Sequence, residues 1–257
     1  MLVLLSPSKT LSFEDAPSVE HPSSPVFLTD AERLMNKVKR LSAKKLEGLM
    51  NVNPKLAAQT ADWAAGWQTP FTVSNARPAA LCFKGAVYTG LSARTWSDAD
   101  FTFAQDHVRL LSGLYGVLKP LDLMQPYRLE MGLNWNVSPT TPNLYAFWGS
   151  KIQQHVATAS AGLIINLASK EYSKAALPPA FDGRIITPAF KDWDNGGYKA
   201  KMAYAKEARG TLAKHIVQNR WTNPEDMKAF DGMGYTFNES LSTQHDWVFT
   251  RHKPTTK

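Results

Sequence analysis

The chain has 257 residues, 44% of them hydrophobic, and a formal net charge of +7. That length and apolar content suffice for one large domain or two small ones with a real core, which excludes a disordered or fibrous chain. The apolar runs at 2–5 and 163–167 are far shorter than the ~20 residues that span a bilayer, the single Cys82 excludes an internal disulfide, and scattered histidines without a cysteine pair give no zinc or iron ligand spacing.

Met1 leads straight into an apolar run with no basic leader, so a cytoplasmic location and no membrane partner are expected. Residues 2–5 (LVLL) read as a buried strand ending in SPSKT at 6–10. Ser6, Ser8, Lys9 and Thr10 there offer phosphate-binding chemistry, without the glycines of a P-loop. The proline- and serine-rich stretch 14–27 reads as surface loop.

Thr29 to Glu32 matches a capping box, which predicts a helix through Leu41. Ser42 predicts a second helix through Met50, and Asn53-Pro54 starts a third. This helix, tight turn, helix over 42–63 resembles the helix-hairpin-helix module, whose hairpin usually reads Gly-hydrophobic-Gly-Pro-Lys and offers backbone amides to a DNA phosphate. Asn51 and Asn53 stand where that hairpin has glycines, and asparagine is the best other residue for left-handed backbone. Lys44, Lys45 and Lys55 surround the turn. An ordinary helical hairpin is the competing reading.

Short strands are expected at Leu81–Phe83, ending in Lys84, and at Val87–Tyr88, followed by a helix from Ser97 or Asp98 to His107. Cys82 reads as a small core residue. The stretch 109–132, RLLSGLYGVLKPLDLMQPYRLEMG, is the one around which the rest of the chain is organised. Val108–Leu111 reads as a strand; Gly113 and Gly116 allow positive φ or close approach of backbone, and Pro120 and Pro126 stop regular structure. Asp122, Arg128 and Glu130 thereby sit on irregular backbone among buried leucines and methionines, where a charge needs a partner or a ligand.

Residues 144–156 read as one amphipathic helix, 163–167 as a strand, and Ser169 as the cap of a helix carrying Glu171 in its first turn. DNGG at 194–197 joins two extended runs as a hairpin, and Tyr235–Phe237 with Trp247–Arg251 forms a second antiparallel pair. On the helix expected over 200–219, Met202, Ala205, Leu212, Ala213 and Ile216 share an apolar face with Lys206 and Arg209. Inward cations want carboxylates or an anion.

Positive charge is concentrated in two segments, 30–60 with seven basic against three acidic residues and 198–220 with six against one, a footprint of polyanion binding or of two solvated helix faces. The expected fold is a single mixed α/β domain whose partly antiparallel sheet is flanked by helices. Strand ends and one helix then offer Lys9, Lys84, Arg128, Lys206 and Arg209 as a basic cleft, with Asp122, Glu130 and Glu171 as carboxylates. The same set also reads as a structural ion-pair network.

The motifs SPSKT at 6–10, FKGAVYTGL at 83–91, LLSGLYGVLKPLDLMQPYRLEMG at 110–132, YAFWG at 145–149, INLASKEY at 165–172 and YAKEARG at 204–210 resemble the YaaA family of bacterial peroxide-stress proteins nearly end to end. The resemblance implies one domain of unusual topology over 1–257, a helix-hairpin-helix-like element carried on Asn51 to Lys55, DNA binding through a positively charged cleft, and protection against hydrogen peroxide. The expected partner is duplex DNA bound with little base specificity by a monomer, without cofactor or metal. The rival reading is an enzyme acting on a nucleotide or modified nucleobase, with Glu130, Glu171 or Asp122 as acid or base.

Overall fold

The run Leu2–Leu5 forms strand β1, and all four side chains are fully buried. A strand covered on both faces reads as an unbroken apolar run, and each such side chain contributes ~1.5–3 kcal/mol on burial. The structure is a computed structural model that describes residues 1–13, 19 and 21–252. The remaining strands are β2 (Thr10–Leu11), β3 (Arg77–Pro78), β4 (Phe83–Lys84), β5 (Val108–Ser112), β6 (Gly116–Leu118), β7 (Leu123–Met124), β8 (Leu163–Asn166), β9 (Arg184–Asp194), β10 (Gly197–Lys199), β11 (Thr236–Phe237) and β12 (Asp246–Arg251). The helices are α1 (Leu28–Val38), α2 (Ala43–Met50), α3 (Pro54–Gly66), α4 (Ala79–Cys82), α5 (Ala86–Leu91), α6 (Asp98–His107), α7 (Leu144–Trp148), α8 (Lys151–Ala159), α9 (Lys170–Ala176) and α10 (Met202–Gln218).

The main sheet runs in the order β11-β12-β9-β8-β1-β5-β6, with β10 paired to β9. Its five central strands are mutually parallel, and β6, β10 and β11 add antiparallel pairings at its margins. The expected mixed α/β domain is therefore present. From β1 the chain crosses to β5 on one side; from β8 it moves to β9 on the other. The carboxyl ends of β1 and β8 thus flank a topological switch point, where open α/β sheets form a crevice.

Several expectations change. Leu81–Cys82 and Val87–Tyr88 are helical, in α4 and α5. The second is helical for a tertiary reason: Gly90 and Gly210 bring α5 and α10 together, and a Cβ at Gly210 would lie 1.7 Å from the Val87 carbonyl oxygen. The Thr29–Glu32 capping box does not form; α1 starts at Leu28 without a side-chain cap, and Glu32 instead accepts a hydrogen bond from Thr69 at 2.9 Å. The helix expected over 144–156 breaks at Gly149, whose φ of +50 is costly for other residues, into α7 and α8. Of the expected surface loop 14–27, residues 14–18 and 20 lie outside the described residues, while Ser23 is bridged to Asp122.

The two hairpins at 194–197 and 237–246 join strands as expected from the turn residues and alternation. Between β9 and β12, Arg251 and Asp192 form an ion pair of 2.5 Å that is 2% exposed on each side, and Tyr235 donates to the same carboxylate. A buried charge pair of this kind persists because each partner satisfies the other.

Candidate functional site

Local sequence delivers one side chain after another to the carboxyl ends of β1 and β8. After β1 the chain runs through Ser6 and Lys9 before β2 pairs with β4, matching Thr10 with Lys84 and so holding Lys84 beside that loop. The backbone at Gly85 passes so near Ser8 that a Cβ there would lie 3.1 Å from its hydroxyl oxygen. After β5 the chain returns along 127–131, and Gly113 allows this return because any Cβ would strike the Leu129 carbonyl oxygen at 2.2 Å. Tyr127 shares a 2.7 Å hydrogen bond with Ser112 at the end of β5, which positions the neighbouring Arg128 and Glu130.

These segments enclose a cleft of about 630 Å³. Lys9, Lys84, Arg128, Lys206 and Arg209 all line it, together with Glu130 and Glu171. Five cations from four separated stretches thus face two carboxylates. Lys9, Lys84 and Lys206 are exposed at the mouth, whereas the Arg128 and Glu130 side chains are only 11% and 10% exposed. Glu130 Oε1 lies 2.8 Å from Arg128 and 3.4 Å from Lys9. Glu171 Oε1 accepts the Gly132 amide at 2.9 Å. Burial pushes the Arg209 guanidinium below its ordinary range, as expected for a cation partly withdrawn from water.

Ser169 serves the site differently from the expected helix cap. Its side chain makes no cap bond to α9; its amide donates to Ser6 Oγ at 2.8 Å, and Ser6 Oγ donates to Ser169 Oγ at 3.2 Å. Met202, expected in the core, is 67% exposed at the cleft's rim. Tyr88, Tyr127 and Tyr172 line the cleft and were not singled out by sequence. Their signal in the sequence is weak: each is a tyrosine within a few residues of a charged residue of the cleft. Burial raises all three phenols well above their ordinary range, so they are neutral hydrogen-bonding walls.

Asp122 does not join this group. It is 2% exposed, accepts from the Ser23 hydroxyl at 2.6 Å and the Lys119 amide at 2.7 Å, and burial raises its carboxyl above the usual range. Its role is to tie the 119–122 turn to Ser23. The expected hairpin residues Lys44, Lys45, Asn51, Asn53 and Lys55 are all exposed, and none is among the described residues lining the cleft. Asn51 takes left-handed backbone at φ 48, but Asn53 is extended and caps α3 by accepting the Leu56 amide at 2.9 Å. Of the two asparagines at the expected glycine positions, Asn51 alone is therefore left-handed.

The fold and the cleft define a mixed α/β protein with a cation-rich crevice at the switch point of its parallel strands. Residues 1–241 match the family model described as Peroxide stress protein YaaA, and the chain belongs to that family. Its role accordingly lies in the peroxide stress response. Among the described residues no helix is long and apolar enough to cross a membrane.

Proposed function

We propose that the protein acts in the peroxide stress response by binding DNA through backbone phosphates, with little dependence on base sequence. The observation that carries this reading is the meeting of Lys9, Lys84, Arg128, Lys206 and Arg209 in one cleft, where among the described residues Glu130 and Glu171 are the carboxylates that line it. Phosphate contacts from such cations release condensed counterions and carry no base information. The exposed hairpin with Lys44, Lys45 and Lys55 supplies a second contact, where the Lys55 amide in the first turn of α3 adds to the lysine charge.

The test is affinity for duplex DNA as a function of salt. Affinity falls steeply with salt, and each of Lys9, Lys84 and Lys206 changed to alanine lowers the magnitude of the logarithmic slope by about 0.9. Affinity that is indifferent to salt, or unmoved by all three changes, refutes the cleft as the phosphate site; indifference to Lys44, Lys45 and Lys55 changes refutes the hairpin alone.

Two carboxylates in the same cleft favour a second reading, an enzyme acting on a nucleotide or modified nucleobase with Glu130 or Glu171 as acid or base. A Glu130→Gln protein that binds DNA normally but fails to restore peroxide resistance selects it.

A further inference from the structure

A site that only gathers phosphates has no use for a carboxylate among its cations, because that group repels the ligand. Glu130 is nevertheless held in the cleft wall, 8% exposed. Structural arginine-carboxylate pairs frequently engage both oxygens with the fork of the guanidinium, and in the Arg251–Asp192 pair, where the guanidinium meets one oxygen, Tyr235 occupies the other. In Glu130 one oxygen, Oε1, carries both Arg128 and Lys9, while Oε2 and the Arg128 Nε are buried, and among the described residues neither has a hydrogen-bond partner. An unsatisfied buried acceptor and an unsatisfied buried donor on two paired residues are each costly unless something supplies their partners. Lys9, 68% exposed and 3.4 Å from Oε1, is the side chain an entering ligand displaces most easily.

Resting on the phosphate-binding reading of this cleft, we infer that the cleft seats a single nucleotide, its phosphate on the rim cations Lys9, Lys84 and Lys206 and the edge of its base against Glu130 and Arg128. A nucleobase edge presents an N–H donor next to an acceptor, which complements a carboxylate oxygen beside a guanidinium N–H. The volume agrees: about 630 Å³ lies within the ~300–1,000 Å³ of pockets that enclose one small ligand, and is far too small to admit a duplex. Tyr127 and Tyr172 give the inner wall apolar ring surface for a base face. The nucleotide is either free or turned out of a strand held on the surrounding surface.

The experiment is calorimetric titration of the full chain with each of the four 2′-deoxynucleoside 5′-monophosphates and, separately, with inorganic phosphate. At least one mononucleotide binds tenfold or more tightly than inorganic phosphate. Glu130→Gln removes most of that preference and, because it also removes a repelling charge and frees Lys9, strengthens inorganic phosphate binding, whereas Lys84→Ala weakens both ligands. Mononucleotides that bind no better than inorganic phosphate overturn the proposal, as does a folded Glu130→Gln protein that keeps the full preference. The wild-type ratio decides even if Glu130→Gln does not fold. A second titration compares a fully paired duplex with one carrying a single unpaired nucleotide. Preference for the unpaired site assigns the seat to a nucleotide of a strand; nucleotide binding without that preference assigns it to a free nucleotide. Salt-sensitive binding of the paired duplex with no nucleotide selectivity sinks this inference alone, whereas nucleotide selectivity without duplex binding sinks the DNA reading alone.

Discussion

Ser6 and Ser169, 163 positions apart, are joined by two hydrogen bonds: the Ser169 amide donates to Ser6 Oγ at 2.8 Å, and that hydroxyl donates to Ser169 Oγ at 3.2 Å. This contact laces the loop after β1 to the loop after β8 across the switch point, beneath the cleft. Tyr88 adds a third tie from α5, donating to the Ser6 carbonyl at 2.9 Å. The floor of the cleft is therefore held by three stretches distant in sequence.

Replacing Ser6 with alanine strands the Ser169 amide in a partly buried position. The expected cost is about 1–2 kcal/mol, the usual loss when one partner of such a bond is removed. Urea denaturation at neutral pH measures it. A Ser6→Ala protein of unchanged midpoint refutes the importance of this contact.

The helix pair α5 and α10 sets the other wall of the cleft, which Ala86 and Val87 line together with Lys206 and Arg209. Its closeness depends on glycine: a Cβ at Gly210 would sit 1.7 Å from the Val87 carbonyl oxygen, and one at Gly90 would sit 2.1 Å from that of Glu207. Backbone cannot yield as a side chain does, so Gly210→Ala is expected to destabilise by about 3 kcal/mol. The control is Gly48→Ala in α2, where nothing lies within 4 Å of the added carbon. That change is expected to stabilise by about 0.5–1 kcal/mol through helix propensity and unfolded-state entropy. Thermal or urea midpoints of the two variants should move in opposite directions.

The range of the forces involved decides which elements are legible in the sequence. The strand at 2–5 is legible because burial on both faces demands an unbroken apolar run, and those at 108–112 and 163–166 because Val108, Leu110 and Leu111, and Leu163 to Ile165, keep most of each run apolar. Lys206 and Arg209 are legible because helical periodicity alone puts them together. The helix at 86–91 is not, since its β-like Val87-Tyr88 is overridden by a glycine contact made more than a hundred residues away. Asp122 misleads for a similar reason. It shares a turn-rich stretch with Arg128 and Glu130, but the chain doubles back between them, and Ser23 and the Lys119 amide claim its carboxylate. The tyrosines of the cleft stay hidden because nothing local distinguishes a buried tyrosine that walls a site from one that fills a core.

Cys82 is fully buried in α4, and burial pushes its thiol up to about 12 despite the opposing influence of Arg77 and Arg94. The thiolate is the reactive form. Native protein at pH 8 should therefore resist iodoacetamide for hours, while protein in denaturant is alkylated within minutes; mass spectrometry reads the difference. Rapid native alkylation would contradict the core assignment.

Acid should weaken the fold through two histidines. His155 is lowered by burial first and then by Arg109 and Lys119; His215 is lowered by burial and Lys214, with Asp231 opposing. His155 Nε2 also lies 3.4 Å from the Arg109 Nε that donates to it, an arrangement that suits a neutral ring. With each folded value below the unfolded one, which lies near 6.5 for histidine, the unfolded chain binds more protons in the window between them. The contribution to stability is therefore complete above about pH 6.5 and is lost as pH falls through the folded values. Melting temperatures at pH 7.5 and 5.0 test this with wild type and His155→Gln, whose amide can still accept from Arg109 but does not titrate. The variant should lose less on acidification than the wild type, and an equal loss in both would remove His155 from the account.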